Sequence, residues 1–265
     1  FEFLQIIRLV IKELKIGNLT IPIPIIQGGM GVGISMSGLA VAVANQGGVG
    51  VISAAGLGLV HHSPAMNYLE SNIEALKNEI RKAKEKTKGI IGVNIMVAMS
   101  NFEDIVKTAI SEKVDIIFSG AGLPMDLPKF LTPDSNTKLV PIVSSARAAK
   151  LLCERWFSKH NYLPDAFVVE GPKAGGHLGF KNDQINDPDF SLENIVPQVV
   201  SQITLYEEKH QKDIPVIAAG GIYTGEDMFN IMQKGAKAVQ LGTRFVTTVE
   251  CDASAGFKQI GRASC

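Results

Sequence analysis

The chain has 265 residues, of which 46% are hydrophobic and 20% are charged. This balance can bury a sizeable core, so it excludes a disordered chain. Lysine and arginine together number 26, as do aspartate and glutamate, which excludes both an overall basic field for nucleic acid and an acidic solvating block.

The first sixty residues are rich in apolar side chains but do not predict a membrane segment. The opening stretch FLQIIRLVI is too short to span a bilayer and lacks a small-residue cleavage site, so we expect a terminal helix or an appended remnant rather than a signal peptide. Residues 16–60 carry no charge, but Pro22, Pro24 and many glycines interrupt them. This pattern favours a buried barrel wall over a membrane span.

The cysteines indicate the redox compartment. Cys153, Cys251 and Cys265 form no CxxC pair and are odd in number. That usage fits a reducing compartment better than a disulfide framework, so we expect a cytoplasmic protein.

Short runs rich in β-branched residues recur along the chain and predict eight strands. They cover residues 23–27, 49–53, 90–95, 116–119, 139–143, 166–170, 215–219 and 238–241. Helical patterns lie between them, at residues 38–45, 68–86, 102–112, 146–159, 195–210 and 225–234, with a short helix near 125–130. The clearest pattern is YLESNIEALKNEIRKAKEK, whose apolar residues recur at three- and four-residue spacing.

Alternation of strands and helices predicts an α/β protein with a parallel sheet. Eight strands of nearly continuous apolar character favour closure into a (β/α)8 TIM barrel, with an open doubly wound sheet as the alternative. No repeat or low-complexity linker divides the sequence, so we expect one domain over residues 1–265, with a lid at residues 181–193.

Glycine gathers where the predicted strands end. The ends carry QGGMGVG after the first strand, VNIM after the third, SGAG after the fourth, EGPKAGGH after the sixth, AAGGI after the seventh and QLGTRF after the eighth. The opposite ends carry ordinary polar connections such as KTKG and EKVD. Because the loops at the carboxyl ends of barrel strands build the site, this asymmetry predicts a ligand at that face.

The last two of these loops predict a phosphate cradle. Gly220 and Gly221 offer bare backbone before a helix that starts at Thr224, and Gly242 and Thr243 follow the last strand. One phosphate and a wide glycine-lined floor indicate a mononucleotide, and FMN fits that shape.

The ring of such a cofactor needs close backbone approach and amide partners. Gly28, Gly29 and Gly175 permit the approach, and the side chains of Gln27 and Asn94 are candidate partners for the polar edge. For Asn94 the alternative interpretation is a buried side chain that ties off a strand end.

The motifs PIIQGGMGVGIS, GVN, EGPKAGGHLGF, PVIAAGGI and AVQLGTRF, in this order, resemble the nitronate monooxygenase family, formerly grouped as 2-nitropropane dioxygenases. The same superfamily includes FMN-dependent enoyl-acyl carrier protein reductases. The resemblance runs from about Leu14 to Phe257. After ECDASAGFKQ the chain passes at once to IGRASC, where family members usually have an intervening segment and a longer C-terminal region.

The resemblance implies an FMN-binding barrel in which His177 stands over the reactive side of the ring. The predicted cofactor residues are Gln27, Gly28, Gly29, Met30, Asn94, Glu170, Gly175, Gly176, Gly220, Gly221, Gln240, Leu241, Gly242 and Thr243. Family members often carry an amide where Glu170 stands. We expect a carboxylate at that position to be hydrogen-bonded or charge-paired.

His177 is the candidate catalytic residue. An isolated histidine is most simply a surface or core side chain satisfied by water, but this one lies two residues after Gly175 at the end of a strand. A neutral imidazole can accept a proton near neutral pH, and a nitroalkane has an acidic carbon–hydrogen bond beside its nitro group. No third ligand accompanies His61 and His62 at metal spacing, so we expect no metal site.

The leading hypothesis is an FMN-dependent nitronate monooxygenase that oxidises alkyl nitronates with O2 to carbonyl compounds and nitrite. One alternative is an enoyl-thioester reductase that uses FMN and NAD(P)H, and another is a catalytically idle flavin-binding barrel. The expected partners are a small-molecule substrate, nitronate or enoyl thioester, and O2. Neither nucleic acid nor a membrane is expected, and a homodimer is left open.

Overall fold

The computed structural model describes residues 12–61 and 66–264. The opening stretch for which a terminal helix or remnant was expected lies outside these residues, as does His62.

Eight parallel strands close into a barrel, which confirms the predicted (β/α)8 architecture and rules out the open sheet. The strands are β3 (Ile25–Gln27), β4 (Val49–Ser53), β5 (Ile90–Met96), β6 (Ile116–Gly120), β7 (Lys138–Val143), β8 (Phe167–Glu170), β9 (Val216–Ala219) and β10 (Ala238–Leu241). Each strand pairs with its neighbours in sequence, and β10 pairs with β3 to complete the ring.

Helices connect the strands on the outside of the barrel. They are α1 (Ser37–Asn45), α2 (Leu57–Val60), α3 (Tyr68–Lys86), α4 (Phe102–Ser111), α5 (Ala146–His160), α6 (Leu192–His210), α7 (Gly225–Gln233), α8 (Thr243–Val246) and α9 (Ala255–Ser264). The short helix predicted near 125–130 is a 3-10 turn, Leu127–Phe130. Among the predicted helices the start of α6 differs most, because the helix begins at Leu192, three residues before the predicted beginning.

The bounds of helix α3 agree with the predicted ones, and interactions at its two ends explain why. The Asn67 side chain accepts a hydrogen bond from the Glu70 amide at 2.9 Å, and the Glu70 carboxylate accepts one from the Asn67 amide at 3.3 Å. This capping box satisfies amides that the first turn leaves unpaired. Two lysines, Lys84 and Lys86, complement the dipole at the other end.

The residues before the barrel form a hairpin that the sequence did not predict. Strands β1 (Leu14–Ile16) and β2 (Leu19–Ile21) pair antiparallel around Gly17, whose φ is +57°. The buried side chains of both strands join the apolar cluster inside the barrel, and Gly17 lies beside Lys138 at the start of β7. The hairpin therefore closes the amino-terminal end of the barrel, which leaves the opposite end as the open mouth.

The charge-free segment 16–60 forms β1, β2, β3, α1, β4 and α2. Most of its apolar side chains pack within the barrel or against its helices. In the ranges that the structure describes, no helix is long and apolar enough to cross a membrane.

Alternate strand residues fill the barrel interior. Val168 on β8 and Ala166 just before it belong to the inner apolar cluster, as do Ile217 and Ala219 on β9 and Ala238 on β10. Because side chains alternate between faces along a strand, the next inward positions toward the mouth can be read from this parity. They are the positions that build the site.

Candidate active site at the barrel mouth

Three polar side chains continue the inward rows at the mouth. Glu170 follows Ala166 and Val168 on β8, Gln240 follows Ala238 on β10, and Asn94 follows Ile90 and Gly92 on β5. All three are predicted cofactor residues. The structure thus brings together at one end of the barrel residues that are up to 146 positions apart in the sequence.

Glu170 and Gln240 lie at the same level. Glu170 is the register partner of Ala219, and Ala219 is the register partner of Gln240. The two polar side chains therefore flank a single small methyl group on the intervening strand. This row is the floor of the mouth on one side, and Asn94 lies on β5 across the barrel.

These three side chains have no protein partner. Within the described part of the chain, none of the side chains of Asn94, Glu170 and Gln240 forms a hydrogen bond or an ion pair, although each is only partly exposed. Buried polar groups are nearly always hydrogen-bonded, and water or a ligand supplies what the protein does not. Their arrangement is typical of a binding site rather than of strand ends that are tied off internally.

Glu170 departs from the expectation that its carboxylate would be paired. Burial raises the pKa of its carboxyl to about 7, and no charged neighbour contributes to the shift. A buried carboxyl without a cation or donors nearby favours its neutral form. The expected partner is therefore absent from the described residues, and with a pKa of about 7 the carboxyl keeps its proton only below neutral pH and loses it progressively above.

Gln27 also differs from its predicted role as an amide partner of the ring. Its side chain is 0% exposed. The amide nitrogen donates to Ser35 Oγ at 2.9 Å and to the Gly28 carbonyl, and the amide oxygen accepts from the Val51 amide at 3.0 Å. The alternative interpretation given for Asn94, a buried side chain that bonds to neighbouring strand ends, therefore applies to Gln27 instead. The side chain of Gln27 links β3 to β4.

The loop after β3 lies against Asn94 and the loop after β10. A side chain on Gly29 would collide with Asn94, and a Cβ on Gly242 would lie 3.4 Å from Met30 Sδ. The Gly28 amide donates to the Leu241 carbonyl at 2.7 Å. This cluster of predicted residues forms one continuous part of the mouth wall.

The glycine pair after β9 is required by conformation and by close approach. Gly220 and Gly221 have φ of +102° and +75°. A Cβ on Gly220 would lie 2.8 Å from the Ala174 nitrogen, and one on Gly221 would lie 2.9 Å from Lys173 Cδ. Only glycine fits where the loop after β8 packs over this pair.

The loops after β9 and β10 contact each other, as a shared phosphate cradle requires. The Arg244 guanidinium lies 4.6 Å from the centroid of the Tyr223 ring. The amides of Tyr223 and Thr224 are already used, because they donate to the Asp227 carboxylate at 3.0 and 2.8 Å. These two amides are therefore not available to a phosphate. Among the predicted residues, the candidate phosphate contacts that remain are the glycine pair and the start of α8.

His177 lies exposed in the loop after β8, and its ring has no hydrogen-bond partner among the described residues. Within 4 Å of a Cβ placed on Gly175 or Gly176 there is no protein atom, and Gly176 has a φ of +88°. Contacts within the described protein therefore do not explain why residue 175 is a glycine. Open space lies beside the candidate base.

The residues at the mouth fit FMN on chemical grounds. Two amides and a carboxyl whose pKa is raised to about 7 have no partner among the described residues, and together they supply the donors and acceptors that the polar edge of a flavin ring needs. Gly175 and Gly176 leave room that a side chain would fill. The joined loops after β9 and β10 suit a phosphate group.

A cavity of about 340 Å³ lies beside the glycine pair. The predicted lid segment, which contains the 3-10 turns Asn182–Gln184 and Pro188–Phe190, forms one of its walls. Lys173 and Asn230 line it from the loop after β8 and from α7.

Asp252 is a residue of the site region that the sequence did not reveal. Its carboxylate accepts hydrogen bonds from the amides of Met36 at 2.7 Å, Leu39 at 3.0 Å and Gly38 at 3.1 Å. It thereby caps α1 and fixes the end of the loop that carries Gly28 to Met30. A local sequence pattern cannot predict a helix cap whose partner lies more than 200 residues away in the chain.

The other reactive side chains do not form a second centre. Cys153 is 0% exposed, and burial raises the pKa of its thiol to about 12, which leaves it protonated and inert. Over residues 12–61 and 66–264, no three histidine, cysteine, aspartate or glutamate side chains are placed to hold a metal ion.

Comparison with known proteins identifies the relatives of this barrel. A family model described as nitronate monooxygenase matches residues 12–261. A probable nitronate monooxygenase from Staphylococcus aureus strain MSSA476 is 28% identical, over 89% of this chain and 68% of that protein.

Two solved structures are similar to the fold. FabK from Thermotoga maritima is 32% identical with a TM-score of 0.67, and the match covers 89% of this chain and 63% of that one. A nitroalkane oxidase from Streptomyces ansochromogenes is 22% identical with a TM-score of 0.69, over 90% of this chain and 70% of that one. At that identity the second likeness supports the fold alone. This chain thus spans less than two thirds of the length of the Thermotoga protein.

Proposed function

Because this chain belongs to the nitronate monooxygenase family, we propose that it is the barrel of an FMN-dependent oxidoreductase that oxidises alkyl nitronates with O2 to carbonyl compounds and nitrite. One observation carries the proposal. The exposed side chain of His177 lies in an open glycine loop at the same end of the barrel as the side chains of Asn94, Glu170 and Gln240, and none of the four has a partner in the part of the chain that the structure describes.

The cofactor would be held by three groups of residues. Asn94, Glu170 and Gln240 would meet the polar edge of the ring, and the loops of Gly220–Gly221 and Gly242–Thr243 would hold the phosphate. The wall would consist of Gly28, Gly29, Met30, Leu241, Gly175 and Gly176, with Gln27 contributing through its backbone. When bound, FMN supplies the electron acceptor that the substrate carbon requires.

His177 would act on the substrate as a general base. A neutral nitroalkane must lose the proton beside its nitro group before it becomes a nitronate, and a ring nitrogen of His177 would take that proton. The absence of a described hydrogen-bond partner supports this role, because the acceptor nitrogen is not engaged elsewhere. The glycines beside it leave space for the substrate.

The test is the visible spectrum of the purified protein followed by turnover. We expect a flavin spectrum, and nitrite release from a small alkyl nitronate in air without NADH. A colourless protein that also fails to bind added FMN would exclude every flavin-dependent function.

An enoyl-thioester reductase is the second candidate, and the 32% identity with FabK over 89% of this chain favours it. The two reactions differ in their demand for a reductant. NADH oxidation that depends on an enoyl thioester, with no nitrite from nitronates, would support the reductase.

A further inference from the structure

Glu170 is the one ionisable side chain in the inward row at the mouth, among the residues that the structure describes. Its register partner Ala219 has only a methyl group, and the next strand presents the amide of Gln240 at the same level. The inner positions below Glu170 on its own strand are Val168 and Ala166. The carboxyl therefore lies above an apolar floor, beside a neutral polar group.

Among the described residues, no cation compensates a charge at this position. The titratable side chains at the mouth end of the elements beside β8 include Arg147 at the start of α5, Lys173 and His177 in the loop after β8, Glu193 at the start of α6, and Glu226 and Asp227 at the start of α7. None of them forms an ion pair or a hydrogen bond with Glu170. Burial alone raises its pKa to about 7, which agrees with the geometry, since an unpaired charge in a dry site is costly.

We propose that Glu170 binds the cofactor ring as a neutral carboxylic acid that donates a hydrogen bond, so that the protein holds FMN less tightly once this carboxyl ionises. The inference rests on the proposed function, because it takes the ring to be that of FMN. A neutral carboxyl has one donor and one acceptor, as an amide does. Glu170 and Gln240 would then form an uncharged pair that matches an uncharged planar ring.

Ionisation of Glu170 removes both its hydrogen-bond donor and its neutrality. A carboxylate only accepts hydrogen bonds, so it opposes the carbonyl oxygens of the ring. It also keeps a negative charge in a place where the protein offers no counter-charge. FMN affinity should therefore fall as pH rises through the ionisation of Glu170.

The experiment measures FMN dissociation constants by flavin fluorescence for the full-length wild type and for Glu170→Gln between pH 5.5 and 8.5. The glutamine variant keeps the shape and the donor but cannot ionise. The FMN phosphate titrates near pH 6, but it does so with both proteins, so the ratio of the two constants isolates Glu170. We expect the wild type to weaken relative to Glu170→Gln by about tenfold or more across this range, because only the neutral fraction binds well.

Two controls make the result specific. Glu208→Gln removes an exposed carboxylate near the end of α6, at the opposite end of the barrel from the mouth, and should follow the wild type at every pH. Riboflavin lacks the phosphate, so its dissociation constant with the wild type alone should also rise with pH, and this measurement needs no variant that folds.

The outcomes separate the inference from the function on which it rests. Tight FMN binding with a constant ratio overturns the role of Glu170 and leaves the flavin function standing. Wild-type binding that strengthens with pH relative to Glu170→Gln also overturns it, since an ionised carboxylate would then be the bound form. Failure of all variants to bind FMN at any pH overturns both.

Discussion

At the scale of single residues, the available partners decide what each polar side chain at the mouth does. Gln27 and Glu170 are both polar residues at the ends of barrel strands. The amide of Gln27 is fully engaged with Ser35, Gly28 and Val51, so it holds the barrel together. Glu170 has no such partner, and its pKa rises to about 7. The first side chain is structural, and the second is available to a ligand.

The raised pKa of Glu170 predicts a pH-dependent difference in stability that requires no cofactor. A carboxyl whose folded pKa lies above its ordinary value of 4.5 stabilises the fold fully below that value, and this contribution is lost as pH rises through about 7. Between pH 4.5 and 8 the wild type should therefore lose about 1–3 kcal/mol of unfolding free energy relative to Glu170→Gln. Urea unfolding of both FMN-free proteins at each pH measures this difference in unfolding free energy. A difference that stays constant with pH would show that Glu170 ionises normally in the fold.

At the scale of elements, the mouth is an assembly of loops held by long-range contacts. The loop after β8 packs on the glycine pair after β9, and Arg244 connects the loop after β10 to Tyr223. Asp252 connects the segment that follows α8 to the start of α1. Each candidate cofactor loop is thus positioned by an element distant in sequence.

The glycine pair predicts a local sensitivity of FMN binding. Gly221→Val forces a β-branched residue to a φ of +75° and pushes against Lys173, so it should weaken FMN binding at least tenfold, or about 1.4 kcal/mol. Gly235→Val is the matched control, because Gly235 has a φ of +108° but lies before β10, at the opposite end of the barrel. Fluorescence titration and circular dichroism of both variants separate lost affinity from lost folding. Equal FMN affinity in the two variants would argue against the phosphate placement.

Asp252 predicts that α1 depends on a distant cap. Asp252→Asn replaces one acceptor oxygen by a donor that faces amide protons, so it should reduce the unfolding free energy by about 1–2 kcal/mol. Amide hydrogen exchange at Met36, Gly38 and Leu39 should quicken, because their acceptor is impaired. Asp134→Asn, in an exposed loop, should leave exchange at these amides unchanged. Unaltered exchange in Asp252→Asn would mean that α1 is held by its packing alone.

At the scale of the whole molecule, the sequence predicts the strands and helices that periodic patterns and local caps define. It does not predict contacts between residues that are distant in the chain. The bounds of β4, β10 and α3 agree with the predicted ones, because an apolar run or a capping box with adjacent partners defines each end. The hairpin of β1 and β2 was missed since three-residue strands are too short for a periodic pattern. The bonds of Gln27, the cap by Asp252 and the neutral carboxyl of Glu170 depend on contacts that only the closed barrel creates. Glycine placement predicts a site at the carboxyl ends of the strands because barrel topology brings all those ends to one side, and that site stays a prediction.

The most direct test of the whole account is nitrite release by wild type and His177→Asn from two substrates, a neutral nitroalkane and its pre-formed nitronate, at matched flavin content. We expect a loss of about 10²–10⁴-fold with the nitroalkane, the usual contribution of a positioned base, and a much smaller loss with the nitronate, which has already lost its proton. His210→Asn, at the end of α6, should leave both rates unchanged. Equal losses on both substrates, or no loss on either, would contradict the assignment of His177 as the base, and no nitrite from the wild type with either substrate would contradict the proposed reaction itself.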